Sequence, residues 1–411
     1  MSDCGYVVER LRFDDVVLDE IALPGGRLRI TLGLGSGLAI RPGDAPSRVW
    51  AVGDRGPNLT PAQAVYDWGL TALAPLRGQR RAKIMPRPDL GPVLVELRVE
   101  GDKVKVVRRL PLRTDDGREV SGLPPPTDAE GEREVAFGLD GARLPPDPGG
   151  ADSEGLAALP DGDFWVSEEY GPSLLKLDTE GRVLVRWTPA GVRPPADLGY
   201  PVHDLLPAIA ARRRPNRGFE GLSASADGRR LFVAFQSALG EDGGGGDAGF
   251  ARLWTLDADT GAVLAQHLYP FDPPESFRRD TAAGPVGTGD LKICETVWLG
   301  PERLLVLERM SHTAKIYRVN LAGRALAPEH LDETTPALET LSGAELAAAG
   351  VPVLDKTLLL STDDAESIAP DLEGMAALSD RELLLVNDND FGIEGVETRF
   401  FRVRFDAPVL A

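Results

Sequence analysis

The stretch Asp152-Ser-Glu-Gly-Leu-Ala-Ala-Leu-Pro-Asp-Gly-Asp-Phe-Trp-Val-Ser-Glu168 holds two short apolar runs joined by Asp161-Gly162. Two such runs around an Asp-Gly turn read as a β-hairpin. The pattern returns along the chain. Its first run reappears as Ser36-Gly37-Leu38-Ala39-Ile40, Glu220-Gly221-Leu222-Ser223-Ala224, Glu295-Thr296-Val297-Trp298-Leu299 and Glu373-Gly374-Met375-Ala376-Ala377. Turn residues follow each copy, at Gly43-Asp44, Asp227-Gly228, Gly300-Pro301 and Ser379-Asp380. A second apolar run then ends on a polar residue: Asp54, Glu168, Gln236, Glu308 and Asn387 in turn. More alternating segments come next, at 93–110, 174–187, 251–268, 314–326 and 399–410, and each reads as an amphipathic outer hairpin.

The unit is therefore a four-stranded antiparallel sheet with buried inner strands and a wetter outer edge. Radial repetition of such sheets gives an all-β fold, a β-propeller. A β-sandwich would not repeat an acidic residue at one register. Spacings of 66, 75 and 78 residues between successive copies after Gly155 leave room for long loops on each blade. Five copies are visible, and residues 5–32 remain for another, so we expect six blades, with five or seven as alternatives. The whole chain, 1–411, reads as one domain with a Pro-rich excursion at about 120–150.

Composition bounds the partners. The 411 residues carry 45 Lys+Arg against 64 Asp+Glu, a net charge of −19, which disfavours nucleic acid and anionic membranes. No apolar run of membrane-spanning length occurs, so no integral membrane contact is expected. Two cysteines and four scattered histidines exclude a disulfide framework and a His-rich transition-metal centre. We expect a monomer that takes a small-molecule substrate. The N-terminus shows no signal peptide, which fits either a cytoplasmic protein or the mature form of a periplasmic or secreted one.

In each unit the start of the first strand and the end of the second lie at one edge of the sheet. In a propeller these places converge on one mouth of the central channel. They hold Ser36 with Asp54, Glu154 with Glu168, Glu220 with Gln236, Glu295 with Glu308, and Glu373 with Asn387. Arg55, Asp152, Glu169, Arg309, Asp371, Asp388, Asn389 and Asp390 stand nearby in sequence, with Arg217 and Lys292. So many carboxylates with so few arginines call for a bound cation. Oxygen ligands without His or Cys favour Ca²⁺, with Mg²⁺ or Mn²⁺ as alternatives. The expected metal ligands are Glu154, Glu220, Glu295, Glu373, Asp54, Asn387 and Asp388. The expected catalytic groups are Glu168 or Glu308 as general base, Arg55 and Arg309 for developing negative charge, and His312 beside them. Arg217, Lys292, Asn389 and Asp390 are the expected substrate contacts.

Several of these residues sit in motifs: Asp152-Ser-Glu-Gly155, Ser167-Glu-Glu-Tyr-Gly-Pro172, Asn216-Arg-Gly-Phe-Glu-Gly221, Leu307-Glu-Arg309, Asp371-Leu-Glu-Gly374 and Asn387-Asp-Asn-Asp-Phe-Gly392. Together they resemble the bacterial phytase-like family, described as having esterase-like activity of phytase, over about residues 30 to 405. The resemblance implies a β-propeller and calcium-assisted hydrolysis of a phosphate or carboxylate ester. Basic residues are too sparse here for phytate itself, a dense polyanion. Two other functions stay open: a non-catalytic calcium-binding propeller that holds a ligand or protein, and a lactonase-like hydrolase.

Overall fold

The computed structural model describes residues 5–410 apart from 80, 127–133, 195, 241–247, 332–333 and 336. Among the described residues, five four-stranded antiparallel sheets repeat around one axis. The first blade runs Gly37–Ala39, Arg48–Val52, Val93–Glu100 and Lys103–Pro111 from the axis outward. The second runs Ser153–Ala158, Phe164–Glu168, Ser173–Leu177 and Val183–Pro189, with Val202–Leu206 added in parallel at its edge. The third is Phe219–Ala224, Arg230–Phe235, Phe250–Asp257 and Val263–Pro270, and the fourth is Lys292–Gly300, Arg303–Arg309, Ala314–Asn320 and Asp355–Ser361. The fifth joins Leu372–Ala377, Glu382–Asn387 and Phe400–Phe405 to the N-terminal strand Tyr6–Leu11. The five inner strands touch in order, and the fifth returns to the first, so the ring is closed.

The structure corrects the expected sixth blade. Tyr6–Leu11 pairs with Phe400–Phe405, from Tyr6 opposite Phe405 to Leu11 opposite Phe400, and so closes the fifth blade. That blade's outer strand therefore comes from the opposite end of the chain, not from within 399–410. The remaining segment folds as a hairpin, Val17–Leu23 with Gly26–Thr31. Its Leu28 and Ile30 enter an apolar cluster with Leu59, Leu73, Ile84, Phe137, Phe391 and Ile393. This cluster is a cap beside the axis. The excursion contributes Val135–Phe137, paired in parallel with Ala82–Ile84. The fourth blade's outer strand is Asp355–Ser361, so the expected hairpin at 314–326 is also corrected.

Inner strands are apolar on both faces because each blade packs between two others. Trp50 of the first blade meets Phe164 of the second edge-on, with ring centroids 4.8 Å apart. Trp165, Trp187, Phe219, Phe235 and Trp254 fill the space between the second and third. Leu305, Leu307, Leu383, Leu385 and Phe401 do so between the fourth and fifth. Trp298 is only half-buried and lines an apolar cup of about 300 Å³ at one end of the channel, with Leu38, Ala158, Leu222 and Ala377. The acidic residues gather at the other end.

Five blades leave a narrow axis. A Cβ on Gly155 would stand 2.2 Å from the Glu220 carbonyl oxygen, and one on Gly221 would stand 2.8 Å from the Thr296 amide nitrogen. The fourth blade has Glu295 at the matching place, since Glu295 lies opposite Leu307 just before the Thr296–Val306 pair. Its carboxylate points to the centre of the ring. It accepts hydrogen bonds from Leu38 N at 3.0 Å and Thr296 N at 2.9 Å. The backbone amides of Leu222 and Met375 also act on it, so four of the five blades reach this one group. Burial pushes its pKa well up, and those amides pull it back.

Removing the acceptor strands buried amides, each worth about 1–3 kcal/mol. Glu295→Ala is therefore expected to lower the stability of the ring by about 2–5 kcal/mol, read from the denaturant midpoint, while Glu295→Gln keeps an acceptor and loses less. An alanine variant as stable as wild type would remove Glu295 from this role.

Candidate metal centre

Four of the five inner strands carry one extra residue near the acidic mouth. In the second blade, Ser153 faces Glu168 and Leu156 faces Val166, so three steps on the inner strand match two on its partner. The same shift occurs between Phe219 and Leu222, between Ile293 and Glu295, and between Leu372 and Gly374. A bulge of this kind re-aims the side chains that follow it. Two consequences reorder the expected site.

The first concerns the inner strands. Aligned by their pairs, Glu154, Glu220 and Glu373 share a position with Ser36 and Cys294. Glu295 is therefore corrected: it sits one step deeper, on the axis, and is no member of the carboxylate ring. Glycine frames the other four copies but not this one, and the acidic letter of Glu295 drew the register one residue off.

The second concerns the strand ends. The residues that reach the mouth lie one place beyond the expected bases. Glu168 turns inward. It accepts from the amides of Asp152, Tyr170 and Gly171, from Ser173 Oγ at 2.8 Å, and from Arg186 Nη2 at 2.9 Å. Glu308 accepts from Tyr269 Oη, the Asp272 amide and Lys356 Nζ. Both are fully buried and committed, which argues against either as the general base. Their successors, Glu169 and Arg309, face the mouth instead.

Three carboxylate-rich triads run side by side around this mouth. They are Asp54/Asp152/Glu154, Glu154/Glu169/Glu220 and Glu220/Cys294/Glu373, and within each triad one potential ligand atom per residue lies within 4.8 Å of the others. The outer two already hold a cation of the protein's own. Arg55 Nη1 reaches Asp152 at 2.6 Å and Glu134 at 2.9 Å. Arg309 reaches Asp371 at 2.7 Å, Cys294 Sγ at 3.1 Å, and Glu373. Both arginines are buried in these pairs, so the expected role of stabilising charge on a substrate is corrected to that of counter-charges.

The middle triad, Glu154/Glu169/Glu220, lies between them. Glu169 Oε1 and Glu220 Oε2 are buried without a hydrogen-bond partner, as is Oε1 of Gln236, whose Nε2 donates to Glu220 Oε1 at 2.7 Å. Burial and neighbouring negative charge push Glu154 and Glu220 well above the usual carboxylate range. Burial pushes Glu169 up to about 7, with Arg55, Lys292 and Arg217 pulling the other way. Three carboxylates and an amide oxygen form a hard donor set suited to Ca²⁺, Mg²⁺ or Mn²⁺. Orphaned buried oxygens are what such a cation would satisfy.

The remaining expected residues divide. Asp54 and Asp388 reach the mouth; burial and the charges of Asp390, Glu373 and Asp54 push Asp388 well up. Asp390 is exposed at its edge. Desolvation of its carboxylate at the mouth, then the charges of Glu373 and Asp54, raise it to about 6. Lys292, opposite Arg309 in the sheet, acts on Glu169, Glu220 and Glu373. Arg217 donates to the carbonyls of Leu291 at 3.0 Å and Gly289 at 3.1 Å and acts on Glu169 and Glu220. Asn387 is not a ligand: its amide donates to two backbone carbonyls and its oxygen accepts from Arg399 N. Asn389 is no substrate contact either, since it is buried against Thr31, Leu32, Thr398 and Phe391. His312 lies on an exposed turn, its backbone amide held by Asp280. Sequence reasoning put Asp152 and Glu169 beside the ring without making them ligands, and it missed Cys294 as a member of the triads.

An uncharacterized secreted protein of Arthroderma benhamiae is 33% identical over 175 residues, which are 34% of this chain and 32% of that protein. The chain thus spans about a third of that relative's length. Among solved structures, a virginiamycin B lyase from Staphylococcus aureus is 10% identical over 98% of this chain and 99% of its own, with a TM-score of 0.33. A protein of unknown function from Bacteroides caccae is 12% identical over 59% and 56%, with a TM-score of 0.27. A family model described as esterase-like activity of phytase matches residues 30–391. The five-bladed chain with the acidic mouth belongs to this phytase-like family.

Proposed function

We propose that the protein is a divalent-cation-dependent hydrolase of a phosphoester or related ester, with Ca²⁺ as the leading cation and the acidic mouth as its site. One observation carries the reading: of three adjoining triads, the two outer ones include a carboxylate salt-bridged to Arg55 or Arg309, whereas among the described residues no arginine bridges Glu154, Glu169 or Glu220, and Glu169 Oε1 and Glu220 Oε2 are buried with no partner. The family description favours ester hydrolysis. Fold alone does not select a reaction. No helix among the described residues is long and apolar enough to cross a membrane. The secreted relative favours action outside the cytoplasm.

Glu154, Glu169 and Glu220 would hold the cation. Bound there, it supplies Lewis acidity toward a phosphoryl or carbonyl oxygen and lowers the pKa of water. The rest falls to the chain. Asp390, exposed at the rim and raised to about 6, is suited to take a proton from the attacking water near neutral pH. Arg55 and Arg309 hold the flanking carboxylates in place, which fixes Glu154 and Glu220 between them. The second reading, a calcium-clipped binding propeller, is favoured by the position of His312 away from the triads. A lactonase-like hydrolase would use the same groups on a cyclic ester.

Three outcomes are expected. Ca²⁺ at 100-fold excess over its Kd should stabilise the protein by about 2.7 kcal/mol, measured as a rise in Tm that Glu169→Gln or Glu220→Gln abolishes. Indifference to calcium and chelator alike would remove the cation site. Second, pH acts in a known direction. The folded protein keeps protons on its raised carboxyls that the unfolded chain has already released, so raising the pH costs the folded state. In chelator, stability should fall as the pH rises from the ordinary glutamate pKa of 4.5 through about 7, the Glu169 value. The calcium-induced gain should grow over that window. A cation-free Tm that climbs between those values contradicts the assignment.

Third, Asp390→Asn should lower kcat/KM roughly 10²–10⁴-fold and remove a limb of the pH–rate profile near pH 6. The assay is a panel of phosphomonoesters, phosphodiesters, carboxylesters and lactones with Ca²⁺, Mg²⁺ or Mn²⁺. Wild-type protein that turns over none of them is a binding propeller.

A further inference from the structure

The apolar cup at the far end of the channel takes no part in the chemistry at the acidic mouth. It encloses about 300 Å³ and is lined from all five blades. Four blades bring alanine to its wall, at Ala39, Ala158, Ala224 and Ala377, and the fourth blade brings the half-buried Trp298 instead. The small side chains leave the cup wide. Its floor is closed, because Leu38 and Thr296, which line it, both donate their backbone amides to the Glu295 carboxylate. A carbon-walled space holds water poorly, and an apolar cavity of about 150 Å³ stays dry and takes up benzene. About twice that volume suits two fused rings.

One cation stands in the wall. Arg41 follows the inner strand of the first blade and lines the cup. Its Nε donates to Leu159 O at 3.0 Å and its Nη2 to Gly162 O, both on the hairpin turn of the second blade. The guanidinium lies over two rings, 4.7 Å from the Phe164 centroid and 5.4 Å from that of Trp50. The charge is thus fixed in place between two blades. Burial pushes its pKa down, and Asp44 and Asp161 act the other way from a distance. Asp44 faces Arg48, whose Nη1 is 3.4 Å away. Among the described residues no carboxylate comes within salt-bridge distance of Arg41, and its Nη1 makes no hydrogen bond. A held, partly dehydrated guanidinium with an open N–H edge favours an anion. The first and fourth blades are not neighbours in the ring, so Arg41 and Trp298 approach the cup from different sides. A concave apolar wall with one placed polar group is the usual make-up of a small-molecule site.

We propose that the cup is a second ligand site, separate from the mouth, that binds a flat aromatic carboxylate with its rings against Trp298 and its carboxylate on Arg41. Trp298 offers a flat face, against which an offset or edge-on ring gains more than burial alone. The closed floor gives a long aliphatic chain no axis to thread. One guanidinium edge satisfies one carboxylate, whereas a phosphate dianion calls for several cations. Nothing in this site depends on hydrolysis or on a cation at the mouth.

The test is titration calorimetry of 2-naphthoate into the full-length protein, in chelator and again with Ca²⁺. Two probes are compared with it: 2-naphthamide, of the same shape but uncharged, and decanoate, charged but without a ring. Wild type is set beside Arg41→Gln and Trp298→Leu, both at half-buried side chains, and the Tm of each variant checks folding. Naphthoate should bind wild type equally in chelator and in Ca²⁺. The amide should bind about 10- to 100-fold more weakly, as expected for a lost charge-assisted hydrogen bond. Arg41→Gln should bind acid and amide alike, Trp298→Leu should weaken both, and decanoate should bind more weakly than naphthoate. Should a variant fail to fold, the three probes on wild type still decide. Naphthoate that does not bind, that binds only with Ca²⁺, that binds no better than the amide or decanoate, or that binds both folded variants as it binds wild type overturns the proposal.

Discussion

The tightness of a five-strand ring about one axis governs the rest of the molecule. Inner strands that approach within a hydrogen bond's length across blade boundaries leave no room for a side chain at their closest point, so Gly155 and Gly221 stand where they do. The fourth blade breaks this pattern and turns it to use. Glu295 fills the space that its neighbours' glycines leave, and its carboxylate collects backbone amides from four blades. One group thus satisfies donors that the crowded axis strands, and it separates the acidic mouth from the apolar cup at the other end.

With the axis blocked, the carboxylates above it cannot relax into a water-filled pore. They are buried, close and of one sign, and each must be neutralised. The protein does this twice with arginine, at Asp152 and at Glu373. It does not do so for the middle triad. Among the described residues no arginine bridges Glu154, Glu169 or Glu220, which sets the middle triad apart from the outer two.

The same logic separates committed acids from accessible ones. Glu168 and Glu308 lie near the mouth in sequence, yet each is surrounded by donors and turned into its blade. Asp390 lies at the rim, is exposed, and is raised in pKa, so it keeps both access and a proton affinity near neutrality. Proximity to the axis alone does not make a catalytic carboxylate; the number of donors already pointing at it decides.

The repeated hairpin, its Asp-Gly turns and the apolar inner strands were enough to fix the propeller, because alternation and turn chemistry are local properties written residue by residue. The recurrence of Glu-Gly located Glu154, Glu220 and Glu373 on one mouth for the same reason. Blade number was not local: Tyr6–Leu11 completes a sheet begun some 360 residues later, and only chain closure reveals it. Nor was the identity of the mouth residues, because a single extra residue in four inner strands moves every following side chain by one place. That shift replaced Glu295 by Cys294 in the ring and Glu168 by Glu169 at the site. The sequence by itself therefore determined that a propeller would gather carboxylates at one mouth. Tertiary structure alone decided which of them arginines neutralise, since that depends on contacts between blades far apart in the chain.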